Sequence, residues 1–264
     1  MNLVDIGLNL MHKSYDKDRE EVVERAVKAG VSNMIITGTN INSSNKALHY
    51  TKKYPGILYS TAGVHPHDTH KCNLETINSL KSLALCKEVV AIGECGLDFN
   101  RNFSPRNVQE KWFDSQIQLA CELDMPLFLH ERDAHERFLA ILSNYNKSIK
   151  KAVVHCFTGS ANELDKYLSN GYYIGVTGWI CDKRRGMHLR ELVKRIPTEK
   201  LMIETDAPFL TPRDLVPKSY NGRNEPVFLT HILKTVAECA GKSYEEIAKT
   251  TRDNSYKFFG IDFK

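Results

Sequence analysis

Four short apolar runs in this chain each end on a residue able to hold a metal ion: Val89-Val90-Ala91-Ile92-Gly93-Glu94, Pro126-Leu127-Phe128-Leu129-His130, Ala152-Val153-Val154-His155 and Leu201-Met202-Ile203-Glu204-Thr205-Asp206. Unbroken apolar runs of this length are how strands of a parallel sheet covered on both faces read. A single imidazole or carboxylate after a strand says little, because loops are polar. The same placement after four separate runs describes a site at the C-terminal edge of such a sheet. Two imidazoles and two carboxylates suit a hard or borderline divalent cation with positions left for water and substrate. The chemistry expected of such a set is metal-assisted hydrolysis.

Residues 3–8, 33–37, 57–62 and 172–176 read as further strands, which brings the total to eight. Each is followed by a stretch with helical spacing: residues 16–29, 43–53, 74–86, 105–123, 135–145, 161–169, 188–195 and 226–240. Gly30, Gly171 and Gly241 stand where helices should stop, and Pro105 and Pro226 where helices should start. Eight βα units in order predict an α/β fold of the (β/α)8 TIM-barrel type, with residues 243–259 as one more helix packed on the barrel. A doubly wound open sheet is the competing architecture. It would gather its site at one switch point, whereas residues after six different strands converge only if the sheet closes. No G-x-G-x-x-G follows the first strand, and no G-x-x-x-x-G-K-[ST] occurs, so dinucleotide and P-loop readings lack support. One domain over residues 1–264 is expected.

Composition adds limits. A net charge of +4 permits a polyanionic substrate without demanding one. Seven scattered cysteines with no C-x-x-C pair read as reduced thiols of a cytoplasmic protein. No apolar run approaches the roughly 18 residues of a membrane span, and the first residues lack the pattern of a signal peptide, so a soluble protein without membrane contact is expected.

Glu94, His130, His155 and Asp206 are the candidate metal ligands, and Asp206 and Glu94 also the candidate catalytic carboxylates. The alternatives for each are a solvated carboxylate, a hydrogen-bonded core histidine or a loop cap. In His65-Pro66-His67-Asp68-Thr69-His70, His65 lies nearest a strand end and is the candidate to meet a phosphate or water. His67 and His70 could as well be solvated. A zinc knuckle with Cys72 fails for want of a second cysteine pair. The segment His130-Glu131-Arg132-Asp133-Ala134-His135 is one residue too long for H-E-x-x-H and starts at a strand end, which argues against a zincin. Arg132, Lys183, Arg184, Arg185, Arg213 and Arg223 fall in loops at the same edge, where they could grip successive phosphates or face only water. Trp179, Phe99 and Phe157 could stack bases there or pack internally.

Asp5-Ile6-Gly7-Leu8-Asn9-Leu10, Ala62-Gly63-Val64-His65-Pro66-His67, Ile92-Gly93-Glu94-Cys95-Gly96-Leu97-Asp98, Leu129-His130 with Arg132-Asp133-Ala134-His135, Val154-His155-Cys156-Phe157-Thr158-Gly159, Gly178-Trp179, Glu204-Thr205-Asp206-Ala207-Pro208 and Arg223-Asn224-Glu225-Pro226 form an ordered set running nearly end to end. The set resembles the TatD family of metal-dependent deoxyribonucleases. The resemblance implies an amidohydrolase-like TIM barrel and 3′ to 5′ exonuclease action on single-stranded DNA, and on RNA. It further implies Mg²⁺ as cofactor, with Zn²⁺ or Mn²⁺ as alternatives, and a part in DNA repair or degradation. A monomer is expected.

One departure bears on the metal count. Many relatives carry an H-x-H pair after the first strand, where this chain has Gly7-Leu8-Asn9. Glu94, His130 and His155 can still form a one-metal site, while a second metal on Glu94 and Asp206 would be weak or await substrate phosphate. Glu131 stands where a cysteine often follows the histidine of the fifth strand. Two other readings stay open: an amidohydrolase or lactonase on the same barrel, and a nucleic-acid-binding protein without turnover.

Overall fold

The computed structural model describes residues 2–218 and 222–261. Eight strands lie parallel in one sheet in chain order: β1 (Leu3–Leu8), β2 (Val31–Ile36), β3 (Leu58–Ala62), β4 (Val89–Asp98), β5 (Leu127–Arg132), β6 (Ala152–Val154), β7 (Tyr173–Val176) and β8 (Leu201–Ile203). Between and after them run α1 (Arg19–Lys28), α2 (Ile41–Thr51), α3 (Thr76–Ala84), α4 (Arg106–Glu122), α5 (His135–Ser143), α6 (Ala161–Ser169), α7 (Met187–Leu192), α8 (Leu229–Ala240) and α9 (Tyr244–Phe259). The eight βα units expected from the apolar periodicity are all present. No described helix is long and apolar enough to cross a membrane.

The chain divides into two compact units, Met1–Ile36 with Cys156–Leu168 and Tyr173–Lys264, and Thr37–His155 with Ser169–Tyr172. In the first, the exit of β8 is tied to β1, since the Asp206 N–H donates to the Gly7 carbonyl (2.8 Å) and the Asn9 N–H to the Ala207 carbonyl (2.7 Å). Helix α9 packs where the sequence placed it. Its Asn254 amide donates to the carbonyls of Thr198 (2.7 Å) and Leu201 (2.8 Å), and Phe258 meets Tyr173 edge-on. In the second unit, Phe113 of α4 and Phe138 of α5 stack at 5.1 Å with both side chains fully buried. Burial of each ring contributes about 1.5–3 kcal/mol.

Boundaries moved where a local signal was weak. Helix α1 starts at Arg19 rather than residue 16, with Lys13–Tyr15 forming a separate 3-10 turn. Pro226 opens a 3-10 turn, Pro226–Phe228, that leads into α8. The largest change is β4, which runs four residues past Glu94 to Asp98. It does so through a register shift against β5 between Gly93 and Cys95. A Cβ on Gly93 would stand 2.2 Å from the Phe128 carbonyl oxygen, and one on Gly96 1.8 Å from that of His130, with both φ angles positive at +142° and +149°. Only glycine fits either place. The close approach sets Glu94 and Asp98 on one face of β4, beside His130 of β5.

Candidate metal centre

Four elements of the second unit deliver donors to one point. His65 follows β3, Glu94 lies in β4, His130 in β5, and His155 directly follows β6. The Glu94 Oε1 atom lies 2.8 Å from His155 Nε2, 2.9 Å from His130 Nδ1 and 3.3 Å from His65 Nε2. A carboxylate oxygen has two lone pairs, so three imidazoles exceed what hydrogen bonding to it requires. His130 Nε2 is buried with no hydrogen-bond partner among the described residues. Its nearest carboxylate oxygen, Asp98 Oδ2, is 3.7 Å away, too far for a hydrogen bond. A crowded oxygen beside an orphaned buried nitrogen fits a cation ligated by imidazole and carboxylate.

Electrostatics agree with that fit. Burial alone would push the Glu94 carboxyl up. The imidazoles of His155 and His65 and the hydrogen bonds from His130 and His155 outweigh it, and hold Glu94 well below the usual carboxylate range. Burial drives His65 down to about 4 against the pull of Glu94, so this ring is neutral at neutral pH. Its Nδ1 accepts the His67 N–H at 3.1 Å, which leaves the Nε2 proton facing Glu94. Burial would also lower His130, but the carboxylates of Asp98 and Glu94 facing its two nitrogens lift it.

Around these donors lies a layer that sequence reasoning missed. Asp98 is buried and lies 2.6 Å from His67 Nε2, while its other oxygen accepts the backbone N–H groups of Asn100 (3.0 Å) and Arg101 (2.9 Å). Burial pushes its carboxyl up, and the nearby His130 imidazole, the hydrogen bond with His67 and those from the loop more than reverse this. The signal was in the sequence, because residues 94, 96 and 98 share a face once β4 is allowed to continue. His70 is a tether, with Nδ1 2.9 Å from the Ser104 hydroxyl. Glu131 accepts the Ala134 N–H at 2.8 Å and so steadies the turn into α5.

Asp206 belongs to the first unit, on the loop after β8. The Asn9 amide donates to its Oδ1 at 3.0 Å. The residue where an imidazole is lacking therefore holds a carboxylate. Next to it, buried Asp5 accepts the N–H (2.9 Å) and hydroxyl (2.5 Å) of Thr205, and burial lifts its carboxyl to about 7. The Asn224 amide ties the carbonyls of Thr205 (2.8 Å) and Phe209 (2.6 Å), so the loop is fixed on both flanks.

The cations expected at the edge divide into two groups. Arg132, Lys183 and Arg213 are exposed. Arg184 and Arg185 are exposed too but reach Asp182 at 3.4 and 3.1 Å, and Arg185 lies 4.4 Å over the Trp179 ring. Arg223 is occupied: it donates to Asp18 (2.8 and 2.7 Å), Glu225 (2.6 Å) and the Ser14 carbonyl (2.7 Å), and covers the Tyr15 ring at 4.7 Å. Phe157 is buried and meets Tyr167 edge-on at 6.1 Å, so it is a packing residue. Phe99 lies under the Arg106 guanidinium at 4.5 Å.

A second donor group, Cys181, Asp214 and His231, gathers within 4.8 Å in the first unit. Its charges are already matched. His231 Nε2 is 2.7 Å from Asp214, the Arg190 guanidinium is 3.7 Å from the same carboxylate, and burial pushes the Cys181 thiol up to about 12.

The sequence pattern of TatD related DNases matches residues 4–260. A 3′-5′ ssDNA/RNA exonuclease TatD from Citrobacter rodentium is 51% identical over 262 residues, 99% of either chain. Its namesake from Salmonella typhimurium is 50% identical over 261 residues, spanning 99% of this chain and 100% of that one. Among solved structures, a hydrolase of the TatD family from Entamoeba histolytica superposes with a TM-score of 0.88 at 29% identity, covering 98% of each chain. A phosphotriesterase homology protein from Escherichia coli, 16% identical with a TM-score of 0.69, shares the fold. The architecture is thus the (β/α)8 TIM barrel of the amidohydrolase type. With the match running almost end to end, the chain belongs to the TatD family of deoxyribonucleases.

Proposed function

We propose that this protein is a divalent-metal-dependent nuclease that removes nucleotides from the 3′ end of single-stranded DNA, and of RNA. The observation that carries this reading is the Glu94 oxygen faced by His65, His130 and His155, beside the unpartnered nitrogen of His130. Glu94, His130 and His155 would hold one cation, Mg²⁺ in the working enzyme with Zn²⁺ or Mn²⁺ as substitutes, and Asp206 would contribute to a weaker second position. A bound divalent cation would supply Lewis-acid polarisation of a phosphoryl oxygen and would lower the pKa of water, so that it is deprotonated more readily for attack on phosphorus.

The remaining work falls to the chain's own groups. Asp206, oriented by Asn9, accepts the proton of the attacking water. His65 is neutral and presents its Nε2 proton, so it donates to the charge that develops on the phosphoryl oxygens. Arg132, Lys183 and Arg213 hold the phosphates of the strand, and Trp179 with Arg185 offers a flat surface at the rim. Arg184 contributes less because Asp182 shares its charge, and Arg223 is structural. We place the enzyme as a single-domain monomer in the cytoplasm, acting in DNA repair or degradation. The seven free cysteines suit a reducing compartment.

The test is digestion of single strands labelled at one or the other end, with Mg²⁺ and with EDTA. Labelled mononucleotides released first from the 3′ end, only with metal, are expected. Efficient cutting of a circular single strand would refute exonuclease action, and cleavage of amide or lactone substrates in place of phosphodiesters would refute the substrate class.

A further inference from the structure

Among the large apolar side chains left exposed, Phe103 is set apart by its neighbours. It is 62% exposed on the loop between β4 and α4, a position that costs hydrophobic free energy unless something covers the ring. A slack loop would fold the ring inward. This one is held from end to end: the Asn100 and Arg101 N–H groups on Asp98, the Asn102 amide on the Phe99 carbonyl at 2.7 Å, and the Ser104 hydroxyl on the His67 carbonyl at 2.9 Å. Gln109 then donates to the Ser104 carbonyl at 2.8 Å, and Ser104 is fully buried. The loop therefore presents the ring rather than merely carrying it.

The ring's edge contact is His67, at 4.7 Å between centroids. His67 in turn is 4.2 Å from His65 and 6.4 Å from His130. One imidazole thus separates Phe103 from the donors proposed above to hold the cation. The Arg101 guanidinium is exposed, 6.0 Å from the Phe103 centroid, and takes no ion pair among the described residues. A flat, uncharged π surface with an unmatched cation at its rim suits a ligand that is itself a flat ring joined to an anion.

We infer that Phe103 is a nucleobase-stacking subsite, holding a base next to the scissile phosphate while Arg101 meets a flanking phosphate. The inference rests on the nuclease reading and adds to it the residue that positions the strand. Stacking on a phenyl ring tolerates every base, so the subsite provides grip without sequence preference.

The experiment crosses the protein with its substrate. Wild type, Phe103→Ala and Phe103→Trp are each given a single strand with a normal 3′ end and one whose two terminal nucleotides are abasic. Wild type is expected to lose about 5- to 100-fold in kcat/KM on the abasic strand, Phe103→Ala to lose the same on the normal strand with little further loss on the abasic one, and Phe103→Trp to behave as wild type. A strand ending in 2-aminopurine gives a second readout, in which quenching on mixing is expected for wild type and absent for Phe103→Ala. Equal losses of Phe103→Ala on both strands, or unchanged quenching in that variant, would overturn the subsite. Failure of wild type to cut either strand with metal present would instead remove the nuclease reading, and the quenching measurement would still decide whether bases stack on Phe103.

Discussion

Two dense charge clusters in this protein have opposite accounts. In the network of Arg25, Asp18, Arg223 and Glu225, two cations meet two carboxylates at 2.6–3.1 Å, and each group is answered by its opposite. At Glu94, three imidazoles face one oxygen and a buried nitrogen is left over. The first cluster is complete as it stands. The second makes sense with a cation among its members. Charge density alone would have ranked the two alike, and what separates a structural network from a chemical site is which polar groups remain unanswered.

The largest effect that could break this comparison is expected at Glu94. Replacement by Gln keeps the shape and removes the charge, and should lower metal-dependent cleavage by at least about a hundredfold, with the circular dichroism spectrum unchanged. Asp98→Asn probes the supporting layer. It should weaken metal binding by about 10- to 100-fold in a titration followed by calorimetry, because His67 and His130 lose the negative charge they face while the loop keeps an acceptor oxygen.

For the complete network the expected loss is in stability. Arg223→Ala should cost about 1–2 kcal/mol in urea unfolding, between the values for exposed and buried pairs, and leave kcat unchanged. Lys183→Ala should reduce the salt slope of single-strand binding by roughly 0.7, the value for one phosphate contact, whereas Arg184→Ala should change it less because Asp182 shares its charge. The smallest effect is a pH dependence. Hydrogen bonds from Arg223 hold Asp18 down to about 2, so its contribution is fully present above about 4 and lost as pH falls through about 2. Stability measured across that window should fall more gently in Arg223→Ala than in wild type.

Much of this was legible beforehand because strands and helices differ in apolar period, and eight alternations leave few folds. Glu94, His130 and His155 were legible because each follows an apolar run. Asp98 was not: it stands four residues beyond the end of its apolar run, and only the close approach of Gly93 and Gly96 to β5 carries β4 on to it. Asn9 was read only as a missing ligand, since its partner Asp206 lies 197 residues away. For Arg223 the sequence left phosphate contact and a solvated cation both open, because Asp18, equally remote, could not be placed beside it.

The most direct measurement is a crystal grown with Mn²⁺ and examined by anomalous scattering at the manganese edge. A single strong peak within ligand distance of Glu94, His130 and His155 is expected, with none at Cys181, Asp214 and His231. A vacant Glu94 cluster at saturating Mn²⁺, or a stronger peak at the Cys181 group, would contradict the assignment.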